Sequence, residues 1–225
     1  MEIKLAVDAV VFGYDKEYGI SILLIKRKFS PFKGDWALPG GFVLQNETLE
    51  QAVERELIEE TGISISYLEQ LYTFGELNRD PRQRVVSVAY FGLVKSSKFK
   101  KLSATTDASE AKWFNIKDLP KLSFDHADII GMAIDRLRAK ITYQPIGFEL
   151  LDKKFPFSDL EHLYTSLLDR PIDRRNFKKK IMHLDILEEL NEKVKLKGAG
   201  RPASLFRFNK KNYERLVKRG MHFEI

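Results

Sequence analysis

The chain has no cysteine. That excludes disulfides and thiolate-held metals and fits a reducing compartment. It also has no run of eighteen apolar residues, and its first residues lack the basic, apolar, small-residue order of a signal peptide, so a soluble cytoplasmic protein is expected. Net charge is missing from the first 146 residues, which hold twenty Lys or Arg and twenty Asp or Glu. Residues 147–225 hold eighteen against twelve and so carry the whole excess of +6. A neutral front and a basic back predict two domains, the second facing a polyanion or merely presenting a solvated basic surface. With 225 residues and 44% hydrophobic content, there is room for a medium and a small domain, each with a core.

Gly and Pro are absent from residues 48–61, a stretch rich in Glu and Leu that comes after the polar Asn46 and stops at Gly62. It reads as a helix entered from the glycine loop Gly40–Gly41. On it Glu56 and Glu60 stand at i and i+4, and Glu56 and Glu59 at i and i+3, so three carboxylates crowd one face. Together with Glu47 they suit a hard divalent cation such as Mg2+ or Mn2+, whose preferred ligands are oxygens. Arg55 is placed to pair with Glu47 and fix the loop against the helix. Leu49, Ala52, Val53 and Leu57 form the stripe that anchors the helix to a core.

Residues 4–12 and 20–26 read as strands joined by a turn over 13–19, with Arg27 and Lys28 directly after the second. Two longer strand candidates, 65–76 and 84–94, flank a loop bearing Arg79, Arg82 and Arg84. Guanidinium groups there are suited to phosphate oxygens, although surface arginines commonly contribute little. Trp113–Ile116 reads as a short closing strand. Residues 124–141 carry an amphipathic helical pattern, with Asp125 as its cap. His126, beside that helix start, has a structural role or a ligand-binding one. The run 142–147 breaks the helix and sets domains of 1–143 and 144–225.

In the second domain, Ser158 to Glu161 has the spacing of a capping box that opens a helix through Leu168. After a turn at 169–172, Asp173 caps a second helix beginning Arg174, Arg175, Asn176, Phe177, Lys178, Lys179, Lys180, with Phe177, Ile181 and Leu184 facing inward. Two helices on a tight turn, the second basic and amide-bearing outside, match a helix-turn-helix that reads a DNA major groove. The basic side chains would hold phosphates, while Asn176 and an arginine meet base edges. Strands over 187–197 and 204–208 make a wing whose tip carries Arg201. The alternative is a small α+β interaction module with a solvated face.

Gly41, Glu47 and the run Arg55 to Ile63, approached through Trp36–Gly41, resemble the complete Nudix box of hydrolases that cleave nucleoside diphosphates linked to another group. That resemblance implies metal ligation by Glu56 and Glu60 with Glu59 and the Gly40 carbonyl assisting, Glu59 and Glu60 as catalytic residues, and Glu47 and Arg55 as the orienting pair. It further implies ligand contacts from Arg27, Arg79, Arg82, Arg84 and His126, since the arginine loop and the segment Phe124–His126 are similar to relatives that handle ADP-ribose. Residues 158–208 resemble the winged-helix tail of Nudix-related transcriptional regulators of the NrtR type and their sugar-responsive, AraR-type relatives. The expected fold is therefore α+β: a Nudix α/β/α sandwich with a mixed sheet, then a small winged helix-turn-helix domain. The function implied is either that of a homodimeric, DNA-binding regulator sensing ADP-ribose or a pentose such as arabinose, or that of a Mg2+-dependent hydrolase. The complete box leaves hydrolysis open beside regulation.

Overall fold

The computed structural model describes residues 2–95, 108–195, 202–220 and 223–224. The chain divides into two compact units, Met1–Arg136 and Leu137–Ile225, with the division falling inside the second helix of the chain. No described helix is long and apolar enough to cross a membrane.

The first unit is built on one mixed sheet. Its strands are β1 (Lys4–Asp15), β2 (Gly19–Arg27), β3 (Trp36–Ala37), β4 (Gly40–Phe42), β5 (Tyr67–Phe74), β6 (Val85–Val94) and β7 (Ala108–Asn115). The order is β3-β2-β1-β6-β5, with β4 on β1 and β7 on β2. Strands β1 and β6 run parallel, from Lys4 opposite Val85 to Gly13 opposite Val94, and the other pairings are antiparallel. Near-continuous apolar residues in β1 are what a strand covered on both faces requires. One of those faces packs Val7, Ala9 and Val11 against Ala52, Val53 and Leu57 of α1 (Leu49–Thr61).

Helix α1 starts at the threonine of a capping box: Thr48 accepts the Gln51 amide while the Gln51 side chain accepts the Thr48 amide. It ends at Gly62, whose φ of 69° is the left-handed turn that glycine adopts without a Cβ penalty. The helix α2 (His126–Tyr143) comes after the β7 strand. Asp125 was expected to cap it, but its carboxylate goes to Arg79 instead, and only its backbone carbonyl serves the helix, accepting from Asp128 and Ile129. The closing strand expected at 113–116 is longer, running from Ala108, because pairing with β2 continues to Arg27.

The second unit comprises β8 (Phe155–Pro156), α3 (Phe157–Leu168), α4 (Arg174–His183), β9 (Leu187–Val194), β10 (Ala203–Phe208) and α5 (Lys210–Lys218), with the sheet order β8-β10-β9. The capping box expected at Ser158 does not form. Phe155 and Pro156 are pinned by pairing with β10, and Phe157 is buried, so α3 begins upstream with Pro156 as its cap and no side-chain cap bond. Phe157, Tyr164 and Phe177 pack ring to ring at its centre, where edge and tilted arrangements are favoured. The strand expected to run to Lys197 is described only to Val194, and the wing tip with Arg201 lies outside the described residues.

Candidate functional site

Each unit carries one site. In the first, Arg55 lies among the acids of the box. Its Nε and Nη2 donate to the two oxygens of Glu47 at 2.9 and 2.8 Å, and its Nη1 donates to Glu56 at 2.7 Å and Glu59 at 3.3 Å. The Leu44 amide donates to the same Glu47. The Arg55 hydrogen bond, and after it that amide, lowers the Glu47 carboxyl to about 2. The expected pair between loop and helix is therefore present, and Arg55 supplies charge that the crowded carboxylates need. On the inner side, Glu60 is buried and accepts the Gly40 amide at 3.0 Å. A Cβ on Gly41 would stand 2.2 Å from the Glu56 carboxylate, so glycine leaves the space that this acid fills. These hard oxygen donors fit a divalent cation chemically, while among the described residues no three acidic or histidine side chains form a ready-made metal cluster.

Beyond the glycine loop a cleft opens, lined by Asp8, Arg27, Phe42, Arg79, Asp80, Arg82, Phe124 and His126. Its floor is a buried ionic network. Asp8 accepts from Arg79 at 3.0 Å and from the Ser87 hydroxyl at 2.6 Å, and it faces His126 Nε2 at 3.4 Å. Burial alone would raise the Asp8 pKa, but the His126, Arg79 and Ser87 contacts outweigh it and hold the carboxyl well below the usual carboxylate range. His126 Nδ1 accepts the Leu38 amide at 2.8 Å, which puts the ring hydrogen on Nε2, toward Asp8. Arg79 also makes a forked pair with Asp125 at 2.9 and 2.7 Å.

The walls are aromatic and cationic. Phe124 has φ of 54°, a strained conformation for a bulky residue, and stands edge-on to Phe32 with centroids 4.8 Å apart. The Arg27 guanidinium lies 4.8 Å from the Phe124 centroid and that of Arg82 lies 6.0 Å away. Arg82 is forked onto Asp80. Arg27 forms no close ion pair among the described residues, although the charges of Glu60, Asp80 and Asp8 reach it; its Nε donates to the Pro31 carbonyl. Burial and then the Arg82 charge lower its pKa.

In the second unit, Asp173 caps α4 by accepting the amides of Arg175 and Asn176. Phe177 and Ile181 are buried, and Arg174, Arg175, Asn176, Lys178, Lys179 and Lys180 are all exposed. They are not equivalent. Arg174 Nε approaches the buried Glu161 of α3 at 2.9 Å without hydrogen-bond alignment, and Lys178 lies 5.4 Å from the Phe157 ring centroid. Arg175, Lys179 and Lys180 have no acid partner among the described residues. Helical spacing puts Arg175 and Lys179 directly opposite the buried stripe.

Comparison with known proteins matches each of the two parts of the chain to a known domain. Residues 2–131 match the NUDIX domain, and residues 147–208 match the NrtR DNA-binding winged helix domain. The ADPR responsive transcriptional repressor NtrR of Acinetobacter baylyi is 34% identical over 93% of this chain and 84% of its own length. The chain belongs to the NrtR family. Its fold superposes on the crystal structure of Shewanella oneidensis NrtR complexed with a 27mer DNA at TM-score 0.82 and 33% identity, covering 93% and 95% of the two chains. The Nudix domain of that NrtR has also been solved with ADP ribose, and it matches 61% of this chain and 90% of its own at TM-score 0.56 and 38% identity. The ADP-ribose pyrophosphatase of Methanocaldococcus jannaschii is 46% identical over 56% of this chain and 69% of its own.

For this NrtR-family chain, the cleft gathers Arg27, Arg79, Arg82 and His126 from three separate stretches of sequence. Arg84 is not among its lining residues; it sits just before β6, and its guanidinium donates to the Glu76 carbonyl. Sequence reasoning passed over Asp8 and Asp80, and reached Phe124 only as part of the segment Phe124–His126, without a role of its own. Asp8 had a legible signal, being the one charged residue between Leu5 and Phe12. Nothing in the sequence marks Phe124 as the residue over which two guanidinium groups converge.

Proposed function

We propose that this protein is a DNA-binding transcriptional repressor whose Nudix cleft senses ADP-ribose or a closely similar nucleotide. The observation that carries the reading is α4: a capped helix with an exposed cationic and amide face, on a fold shared with a relative crystallised on DNA. Arg175, Lys179 and Lys180 hold phosphates, and Asn176 meets a base edge. In the cleft, Arg27 and Arg82 are the arginines for a diphosphate, with the Phe124 ring beside them, while Arg79 and His126 are occupied with Asp8 and serve as the floor. A free pentose such as arabinose has no charge for two converging guanidinium groups to meet, which favours the nucleotide. A homodimer places two reader helices on a symmetric operator, and a cytoplasmic location accords with that role. Residues 1–143 form the sensing domain and 144–225 the reader.

Gel retardation with fragments of the source genome tests the reading. Retardation that weakens as salt rises and is relieved by ADP-ribose is expected. No retardation at low salt overturns it, and sedimentation of the free protein as a monomer overturns the dimer.

A second activity is favoured by one observation, the complete and structurally intact box. Glu56 and Glu60, with Glu59 and the Gly40 carbonyl, would hold Mg2+ or Mn2+. When bound, the ion would supply Lewis-acid polarisation of a diphosphate and of water. Glu59 and Glu60 are the catalytic residues of this reading, Glu47 and Arg55 fix the loop that carries Gly40, and Arg27 and Arg82 orient the diphosphate. Release of AMP from ADP-ribose in Mg2+, abolished by Glu60→Gln, is the expected result. Equal release by the variant rejects the assignment.

A further inference from the structure

Where α3 turns into α4 the reader unit has an open recess of about 190 Å3. Pro171, Ile172 and Phe177 give it hydrocarbon walls, and Arg170, Asn176 and Lys180 complete the lining. Neither Arg170 nor Lys180 has an acid partner among the described residues. Asp173, the acid at the same place, is spent on the helix cap. The recess thus combines apolar walls with a net positive charge, since Arg170 and Lys180 outnumber the capping Asp173, beside a helix whose outer face is cationic. A second copy of this chain would bring the same positive charge to meet it, which argues against self-association here. Double-stranded DNA offers the complementary combination. Its phosphates are anionic, and the only apolar group it shows in the major groove is the 5-methyl of thymine.

Asn176 adds a reason to look at the base edge rather than the backbone. Its Nδ2 donates to Asp173 at 2.8 Å, which fixes the plane of the amide. The second Nδ2 hydrogen and Oδ1 remain for a partner, and a donor with an acceptor at that spacing matches N7 and N6 of adenine. An amide suited to adenine next to a hydrocarbon recess fits an A·T-containing step.

We infer that the α3–α4 recess receives the 5-methyl edge of a thymine in the operator, with Ile172 as its wall and Asn176 on a neighbouring adenine, so that both are specificity-determining residues. This rests on the reader assignment above. Arg170 and Lys180 contribute phosphate contacts on either side.

The experiment uses the full-length protein and a duplex that it retards. Each thymine is replaced singly by deoxyuridine, which removes only the methyl, and affinity is read by fluorescence anisotropy. One position in each half-site should weaken binding about fourfold, the equivalent of about 0.8 kcal/mol for a methyl taken out of water. In Ile172→Ala the same replacement should cost less than about twofold, on the same scale, because the wall is gone. Pro171→Ala gives an independent second variant, and thermal melting checks that both fold. If no thymine position responds, or if the response is undiminished in both variants, the inference fails while the reader assignment stands. A change of oligomeric state in Ile172→Ala with unaltered DNA affinity also overturns it, in favour of self-association. Absence of retardation on any duplex overturns both readings together.

Discussion

In the Nudix unit three guanidinium groups, one of them buried, are compensated by carboxylates. Arg79 lies between Asp8 and Asp125, Arg82 is forked onto Asp80, and Arg55 is shared by three glutamates. In the reader unit Arg170, Arg175, Lys179 and Lys180 have no such partner among the described residues. The two arrangements have different physical consequences. Removing an acid from the first leaves a buried charge unpaired, which shows as lost stability. Removing a cation from the second exposes nothing, and shows only when a polyanion is present. Arg27 belongs to the first unit but stands apart from its other cleft arginines: half-buried in the cleft, it forms no close ion pair among the described residues, and Glu60, Asp80 and Asp8 act on it only through longer-range charge. That exception is why it, rather than Arg79, is assigned to the ligand.

The sharpest break of this contrast is Asp8→Asn. It leaves Arg79 with Asp125 as its one ion-pair partner and removes the charge facing His126, and a loss of about 3–5 kcal/mol is expected for one partner removed from a buried ionic network. Urea denaturation measures it, with the midpoint falling and the slope unchanged. The pH dependence has a definite sign. Because the folded Asp8 carboxyl is held below its ordinary value, its contribution is complete above that value, about 3.9, and is lost as pH falls further toward the folded one. The Asn variant should therefore lose stability less steeply in acid than the parent. An equal acid slope would show that the network does not depend on the Asp8 charge.

Next in size is Arg27→Ala. Loss of a charge-assisted contact, worth about 1.5–3 kcal/mol, corresponds to ADP-ribose binding weaker by about ten- to a hundredfold in calorimetry. DNA affinity without effector should not change. Smaller again are Arg175→Ala and Lys179→Ala, each of which should lower the salt dependence of DNA binding by about one ion and weaken all sequences alike. An unchanged slope would mean that these side chains do not meet phosphate.

Much of this was open to reading from the sequence because local rules decide it. The α1 boundaries come from a run free of Gly and Pro closed by Gly62, and those of α4 from Asp173 and the 3.6-residue spacing of Phe177 and Ile181. Where the sequence misled, a tertiary partner had prior use for the side chain. Ser158 has the spacing of a cap, yet the pairing of Phe155 and Pro156 with β10 starts α3 earlier. Asp125 stands at a helix start, yet Arg79, distant in sequence, takes its carboxylate. Arg174 and Lys178 look identical to their neighbours in composition, and only the placement of Glu161 and Phe157 on α3 separates them.

The smallest expected effect sharpens the assignment within the arginine loop. Arg79, Arg82 and Arg84 are indistinguishable by residue type, but they have three different surroundings: a buried network, a half-exposed fork onto Asp80 beside Phe124, and an exposed bond to the Glu76 carbonyl. Arg84→Ala should change ADP-ribose affinity less than about twofold and stability by no more than about 0.5 kcal/mol, as for an ordinary surface substitution. Arg82→Ala, measured beside it, should weaken the effector severalfold and also lower stability, because the Asp80 carboxylate it releases is only 4% exposed and keeps just the residue-82 amide and the nearby Arg79 charge. If the two variants behaved alike, convergence on Phe124 would have no bearing on ligand binding, and the nucleotide would have to be held by the floor of the cleft instead of its wall.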